Sequence, residues 1–153
     1  MSKITCRFAT PADIPALVQL RLAFLLEGKF DPARVRKLPR ALRAYFSKNI
    51  ASGEFLAAVA ETAGVIVATS GMVYHRHPPH PQNPAGLSAY IMNVYVAPEF
   101  RRRGLATKLL KLLATRAKKD GCEHVRLHFW KGRRALYAKA GYLPVKTEMK
   151  LTL

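Results

Sequence analysis

The order of apolar runs in this chain predicts the α/β class, a sheet covered by helices, and three observations carry that prediction. Short β-rich stretches and stretches of helical periodicity follow one another as β, α, α, β, β, β, α, β, α, β. At 153 residues and 50% hydrophobic, the chain is large enough for one core and suits a single domain over residues 1–153. The third observation is the stretch Tyr90 to Lys119, YIMNVYVAPEFRRRGLATKLLKLLATRAKK, which reads as a buried strand, a tight basic turn and a long helix.

Ile4 to Ala9 is the first strand. Thr10-Pro11-Ala12-Asp13 then starts a helix: Thr10 can cap it, Pro11 suits the first helical position, and Asp13 can reach back as in a capping box. Ile14, Leu17, Val18, Leu22 and Leu25 trace one apolar face up to Glu27-Gly28, where the glycine ends the helix. KFDPARVRK is a polar connection to a second helix from about Pro39 to Ser52. Glu54 to Glu61 and Val65 to Tyr74 are β-rich runs joined by Thr62-Ala63-Gly64 as a hairpin. HRHPPHPQNPAG, with four prolines in twelve residues, is an exposed loop. Its His75, His77 and His80 lack a Cys, Asp or Glu to complete a metal site, so no metal is expected.

Val94, Tyr95 and Val96 are β-formers, and Pro98 stops their strand. Leu105, Leu109, Leu112 and Leu113 recur at helical spacing opposite Lys108, Lys111, Lys118 and Lys119, so a helix starts near Gly104 and ends at Gly121. Val125, Leu127 and Phe129 alternate as a half-buried strand. Gly132 to Ala140 is a short helix closed by Gly141, and Met149, Leu151 and Leu153 read as a last strand.

The junction before the long helix is an anion site by construction. The first N–H groups of a helix lack intrahelical partners and lie at the positive end of its dipole. Arg101, Arg102 and Arg103 add cations, while Gly104 and Ala106 let an anion of several oxygens approach the backbone. Composition sets the remaining bounds. No apolar run reaches the length of a membrane span and the amino end is too polar for a cleavable signal; Cys6 and Cys122 make no disulfide framework. A reducing cytoplasm is the expected location. The balance of 26 Lys and Arg against 9 Asp and Glu gives a net charge of +17, which attracts anions or simply solubilises the surface. The basic residues form no run of five, and neither zinc-finger spacing nor an RNA-binding aromatic motif is present, so specific nucleic-acid binding is not expected.

Arg101-x-x-Gly104-x-Ala106, after NVYVAPEF and before the leucine-rich helix, resembles the acetyl-CoA signature of the Gcn5-related N-acetyltransferase (GNAT) superfamily. GRRALYAKAGY, Gly132 to Tyr142, resembles that family's second signature, ending L-Y-x-x-x-G-F/Y. The resemblance covers about Val65 to Leu153. It implies a central mixed, mostly antiparallel sheet flanked by helices on both faces, with a cleft where the strands on either side of the long helix splay apart. It further implies that backbone groups of Val94 and Val96 bond the pantetheine arm of acetyl-CoA, while Arg101, Arg102, Arg103, Gly104, Leu105, Ala106 and Thr107 hold its pyrophosphate.

The implied reaction is direct transfer of an acetyl group to a primary amine through a tetrahedral intermediate. Tyr137 matches the signature tyrosine and is the expected general acid for the departing thiolate, with the Tyr95 backbone N–H serving the oxyanion. Many family members carry a glutamate at the start of the strand before the signature, but Leu87 to Ile91 offer no carboxylate. Glu27, as base or acceptor contact, and His75 both stand as candidates. Many members also place an asparagine six or seven residues before the signature tyrosine, where Trp130 and Lys131 stand here. The acceptor expected from the resemblance is a small-molecule amine. A protein amine, a CoA sensor without turnover and a basic nucleic-acid-binding module are the alternatives, and oligomeric state, a homodimer included, stays open.

Overall fold

A computed structural model describes residues 3–145 and 149–153. One five-stranded sheet runs in the order β1 (Thr5–Phe8), β2 (Phe55–Thr62), β3 (Val65–Arg76), β4 (Leu87–Val96), β5 (Val125–Leu127). The first three pairings are antiparallel and the last is parallel, so the sheet is mixed and mostly antiparallel, as the sequence resemblance implies. Two helices, α1 (Ile14–Glu27) and α3 (Pro39–Ser52), cover one face, and α4 (Leu105–Lys119) covers the other. A short helix, α5 (Arg134–Lys139), packs beside α4.

Each face has its own apolar cluster. On the α4 side Leu109, Leu110 and Leu113 bury against Ala58, Ala60, Ala68 and Met72. Alanines on β2 and β3 leave room for the leucines, and each fully buried leucine side chain contributes about 1.5–3 kcal/mol of transfer free energy. On the opposite face Leu17, Val18 and Phe46 meet Phe55, Ala57 and Val59.

Asp13 reaches back to the Thr10 N–H at 2.7 Å, as the capping-box pattern predicts, but the first turn, Pro11–Asp13, is a 3-10 turn and the α-helix follows it. The Arg7 guanidinium donates to Asp13 at 2.7 and 3.0 Å and to Glu61 at 2.6 and 2.8 Å. It thereby ties β1, the entry to α1 and β2 together. These donors hold the Asp13 carboxyl at about 2, the arginine bonds being the largest cause and burial opposing them. A depressed folded-state value means that the stabilisation is complete above the unfolded value near 4 and is lost as pH falls towards 2. Asp13→Asn should therefore flatten the dependence of melting temperature on pH between about 4 and 2. An unchanged slope across that window would remove Asp13 from the acid response.

Four expectations need correction. The polar connection contains a helical turn, α2 (Pro32–Val35), because Asp31 accepts from the Ala33 N–H at 2.9 Å and Val35 has a core to enter. The proline-rich loop starts later than expected, since β3 continues through His75 and Arg76; it is held by Asn83, whose buried amide bonds both backbone groups of Leu87. The strand after α4 stops at Leu127, and Phe129 lies beyond it. Met149, Leu151 and Leu153 form no strand and are exposed: alternation specifies a strand only where a sheet edge is there to pair with it.

Candidate active site

The site begins where β4 loses a neighbour. Ala89, Tyr90 and Ile91 pair with β5, but among the described residues the next five of β4 have no strand partner on that side. The two chains diverge there and leave a gap in the sheet. β4 also carries an extra residue at this point. Thr69 faces Tyr95 and Gly71 faces Met92, so Ser70 alone opposes both Asn93 and Val94. Asn93 absorbs the bulge with φ +57°, a left-handed conformation that asparagine tolerates better than most residues. One inserted residue reverses the alternation. Ile91 faces α4 before the bulge, and Val94 and Val96 face it afterwards.

A cleft of about 420 Å³ occupies the gap. Its walls include Val94, Val96, Arg101, Arg102, Gly104, Leu105, Ala106 and Thr107, which are eight of the nine residues that the signature implies for acetyl-CoA. Arg103 does not line it; its guanidinium lies over the Phe100 ring and donates to the Glu99 carbonyl at 3.1 Å. Phe100, Arg133, Leu136 and Lys139 complete the wall. Three of these come from or adjoin α5, which no local signal around Gly104 could have indicated.

The anion-binding end is formed by backbone. Lys108 is the first residue of α4 whose N–H bonds back, to Gly104 at 3.1 Å, so the amides of Leu105, Ala106 and Thr107 precede the helical ladder. Gly104 has φ +73° and a side chain placed on it would meet nothing within 4 Å. The glycine is thus required by its backbone angle and leaves open space above the amides. Arg102 has no hydrogen-bond or ion-pair partner among the described residues and remains available to a phosphate. Both observations fit a pyrophosphate.

Arg101 is otherwise engaged. Its Nε donates to the Val96 carbonyl at 2.9 Å and its Nη2 to Glu27. Arg133 donates to the other Glu27 oxygen at 2.8 Å. Glu27 therefore links the end of α1 to the rim of the cleft, with each oxygen held by a guanidinium. Tyr95 is buried under the Arg101 guanidinium, 5.7 Å from its ring centre.

Beyond Val94 a second cavity of about 50 Å³ adjoins the first, sharing Val94 and Arg133 with it. Tyr137 lines it, with Phe24, Met92, Asn93, His128, Phe129 and Trp130. Burial raises the Tyr137 phenol above its ordinary value, nearby Arg133 opposing, so the hydroxyl keeps its proton at neutral pH. Trp130 stacks on Phe24 at 4.6 Å, and it can do so because Gly28 gives it room: a Cβ there would lie 2.4 Å from the indole. Gly28 ends α1 at φ −71°, while Lys29 takes the left-handed angle. His75 is elsewhere, stacked on Tyr90 at 5.9 Å. His128, exposed at the cavity wall, and Asn93 are the polar groups that sequence reasoning missed. No helix among the described residues is long and apolar enough to cross a membrane, and no group of three or more metal-ligating side chains assembles among them.

A mixed sheet split beside a glycine-opened helix N-terminus is the arrangement that the sequence resemblance implies for the class of proteins that hold acetyl-CoA. Residues 20–142 match the family model described as the Acetyltransferase (GNAT) family, and the chain belongs to that family. A predicted acetyltransferase from Clostridium acetobutylicum, solved with acetyl-CoA, is 28% identical with a TM-score of 0.88, covering 98% of this chain and 96% of that one. A GCN5-related N-acetyltransferase from Ralstonia eutropha JMP134 is 27% identical with a TM-score of 0.86, covering 99% of each. Mouse thialysine N-epsilon-acetyltransferase is 31% identical over 74 residues, which are 48% of this chain and 41% of the mouse protein. The match thus spans less than half the length of that curated relative.

Proposed function

We propose that this protein is an N-acetyltransferase that moves an acetyl group from acetyl-CoA to the primary amine of a small molecule. The observation that carries the reading is the adjacency of the two cavities, which share Val94 and Arg133: the large one is lined by the first residues of α4, and the small one holds Tyr137. An extended acyl-CoA laid along Val94 and Val96 brings its thioester to that junction. The thialysine acetyltransferase relatives favour a small amine acceptor.

The chain then has three tasks. Arg102 and the amides from Arg102 to Thr107 bind the pyrophosphate, as Arg101 and Arg103 shape the turn. The Val94 N–H, at the bulge and on the open side of β4, receives the oxyanion; Tyr95 pairs with Thr69 in the ladder in which the Ala97 N–H bonds the Val67 carbonyl, so its own N–H faces β3. Tyr137 gives its proton to the sulfur as the C–S bond breaks and the C–N bond forms; the proton lost by nitrogen returns to it, so that the net products are amide and free thiol. With both its oxygens held by arginines, Glu27 acts as a positioning residue in this arrangement. His128 is the group at the acceptor cavity with a ring nitrogen able to take a proton.

A screen of amine acceptors for release of CoA tests the reading. Thioester cleavage that depends on a small amine is the expected result. Acetyl-CoA binding without turnover on any amine would instead make the chain a CoA sensor, and turnover on protein amines alone would move the acceptor class.

The charge of +17 should produce only weak association with DNA or RNA, indifferent to sequence and lost steeply with salt. Electrophoretic shifts that select a sequence and survive about 0.2 M salt would overturn that expectation.

A further inference from the structure

Helix α1 carries a cation on its inward face. Ile14, Leu17, Val18 and Leu25 are its buried residues, and Arg21, one turn after Leu17 and one turn before Leu25, falls at the centre of the stripe they form. Arg21 is partly buried, and its guanidinium lies 5.3 Å from the centre of the Phe24 ring. Among the described residues it has no hydrogen-bond or ion-pair partner.

The elements around it explain why. Packed on α1 are α2, α3, β3, β4 and the 3-10 turn that precedes it, and apart from that turn none contains an aspartate or glutamate. Asp13 in the turn is taken by Arg7, and Glu27 at the end of α1 by Arg101 and Arg133. Burial pulls Arg21 below the ordinary arginine value, with nearby Tyr45 opposing, yet a guanidinium is charged throughout the neutral range. Taking such a group out of water without an acid is costly, and packing does not require it: a leucine or methionine would continue the stripe.

Arg21 also adjoins the acceptor end of the site. Phe24 lines the small cavity, stacked on Trp130, and Met92 lines it too while packing in the apolar cluster under α1. The cavity and the guanidinium thus lie on the same face of the sheet and meet at the Phe24 ring. The cavity wall itself holds His128 and Arg133 and no carboxylate.

We infer that Arg21 binds an acidic group of the acceptor, so that the substrate is an amine that also carries a carboxylate or a phosphate. The inference rests on the acetyltransferase reading and adds the charge of the acceptor to it. A guanidinium offers parallel donors to either oxyanion, and such a charge-assisted pair is strong where water is partly excluded. An acceptor that is only cationic meets Arg21, Arg133 and a net charge of +17, with no free acid in the cavity wall to hold it.

Paired acceptors test this on wild-type protein and Arg21→Met: β-alanine against propylamine, γ-aminobutyrate against butylamine, lysine against cadaverine, and phosphoethanolamine against ethanolamine. In at least one pair the wild-type protein should favour the acid-bearing member by about tenfold or more in kcat/KM, the scale of one charge-assisted hydrogen bond, and the pair that does so separates carboxylate from phosphate. Arg21→Met keeps an unbranched stem and should bring that ratio to within about threefold of one. Wild-type ratios at or below one in every pair would overturn the inference. A ratio that survives in Arg21→Met, with both members slowed equally, would make Arg21 a packing residue and overturn it too. Melting temperature supplies a readout that needs no turnover: at least one acid-bearing amine, in excess and without acetyl-CoA, should raise it in the wild-type protein and not in Arg21→Met. If no amine of the panel or of the wider screen is acetylated while that difference in melting persists, the acetyltransferase reading falls and the anion site stands; if neither is seen, both fall.

Discussion

Tyr137→Phe should turn over roughly 10- to 100-fold more slowly than the wild-type protein, in the range of a lost general acid, with acetyl-CoA affinity and melting temperature nearly unchanged. The substitution keeps the ring that packs 6.1 Å from Phe129 and 6.2 Å from Tyr142. It removes only a hydroxyl that makes no hydrogen bond to a described residue. Burial raises that hydroxyl above its ordinary value, so it is a donor throughout the neutral range and titrates only at alkaline pH. Thiolate leaves tolerably well without protonation, which places the effect in the lower part of the range for lost acids. Wild-type turnover in Tyr137→Phe, measured where chemistry limits the rate, would leave the tyrosine as a packing residue.

Gly104→Glu should weaken acetyl-CoA binding at least tenfold while the protein still folds. Two separate costs arise. A non-glycine residue at φ +73° costs about 1–2 kcal/mol of strain, which a domain with a stability of about 5–15 kcal/mol withstands. The second cost falls on the ligand. Apart from the chain neighbours of Gly104, no described residue lies within 4 Å of the added Cβ, so the side chain enters the open space over the Leu105, Ala106 and Thr107 amides and places a negative charge where the pyrophosphate would lie. Unchanged affinity by calorimetry, in a variant with native circular dichroism, would remove the pyrophosphate from this turn.

Apart from the short turn α2, the helices and the first four strands were legible because their signals are local. Leu109 and Leu113 are one turn apart whatever α4 packs against, and Thr62-Ala63-Gly64 closes a hairpin with its own backbone angles. Most of the cofactor cleft was legible for the same reason: nine of its residues lie in one stretch of β4, turn and α4, and all of them but Phe100 belong to the set that the signature implies. The terminal alternation Met149-x-Leu151-x-Leu153 misled because a strand requires a neighbouring edge, and a pattern of period two says nothing of whether one is in reach. Glu27 was readable as a candidate base or acceptor contact, but its engagement by Arg101 and Arg133 depends on partners 74 and 106 residues away.

The sequence by itself determined the class of the fold, the basic turn before α4 and the short helix that carries Tyr137, since each is written in contiguous residues whose backbone geometry they set themselves. Only the tertiary structure decided where β4 parts from β5, that the extra residue falls at Asn93, and that Phe24, Trp130 and His128 meet around it. Those features arise from register between strands and from a glycine at position 28 that admits an indole from 102 residues further along. Register and close approach are properties of pairs of segments, and pairing is settled by the packing of the whole sheet.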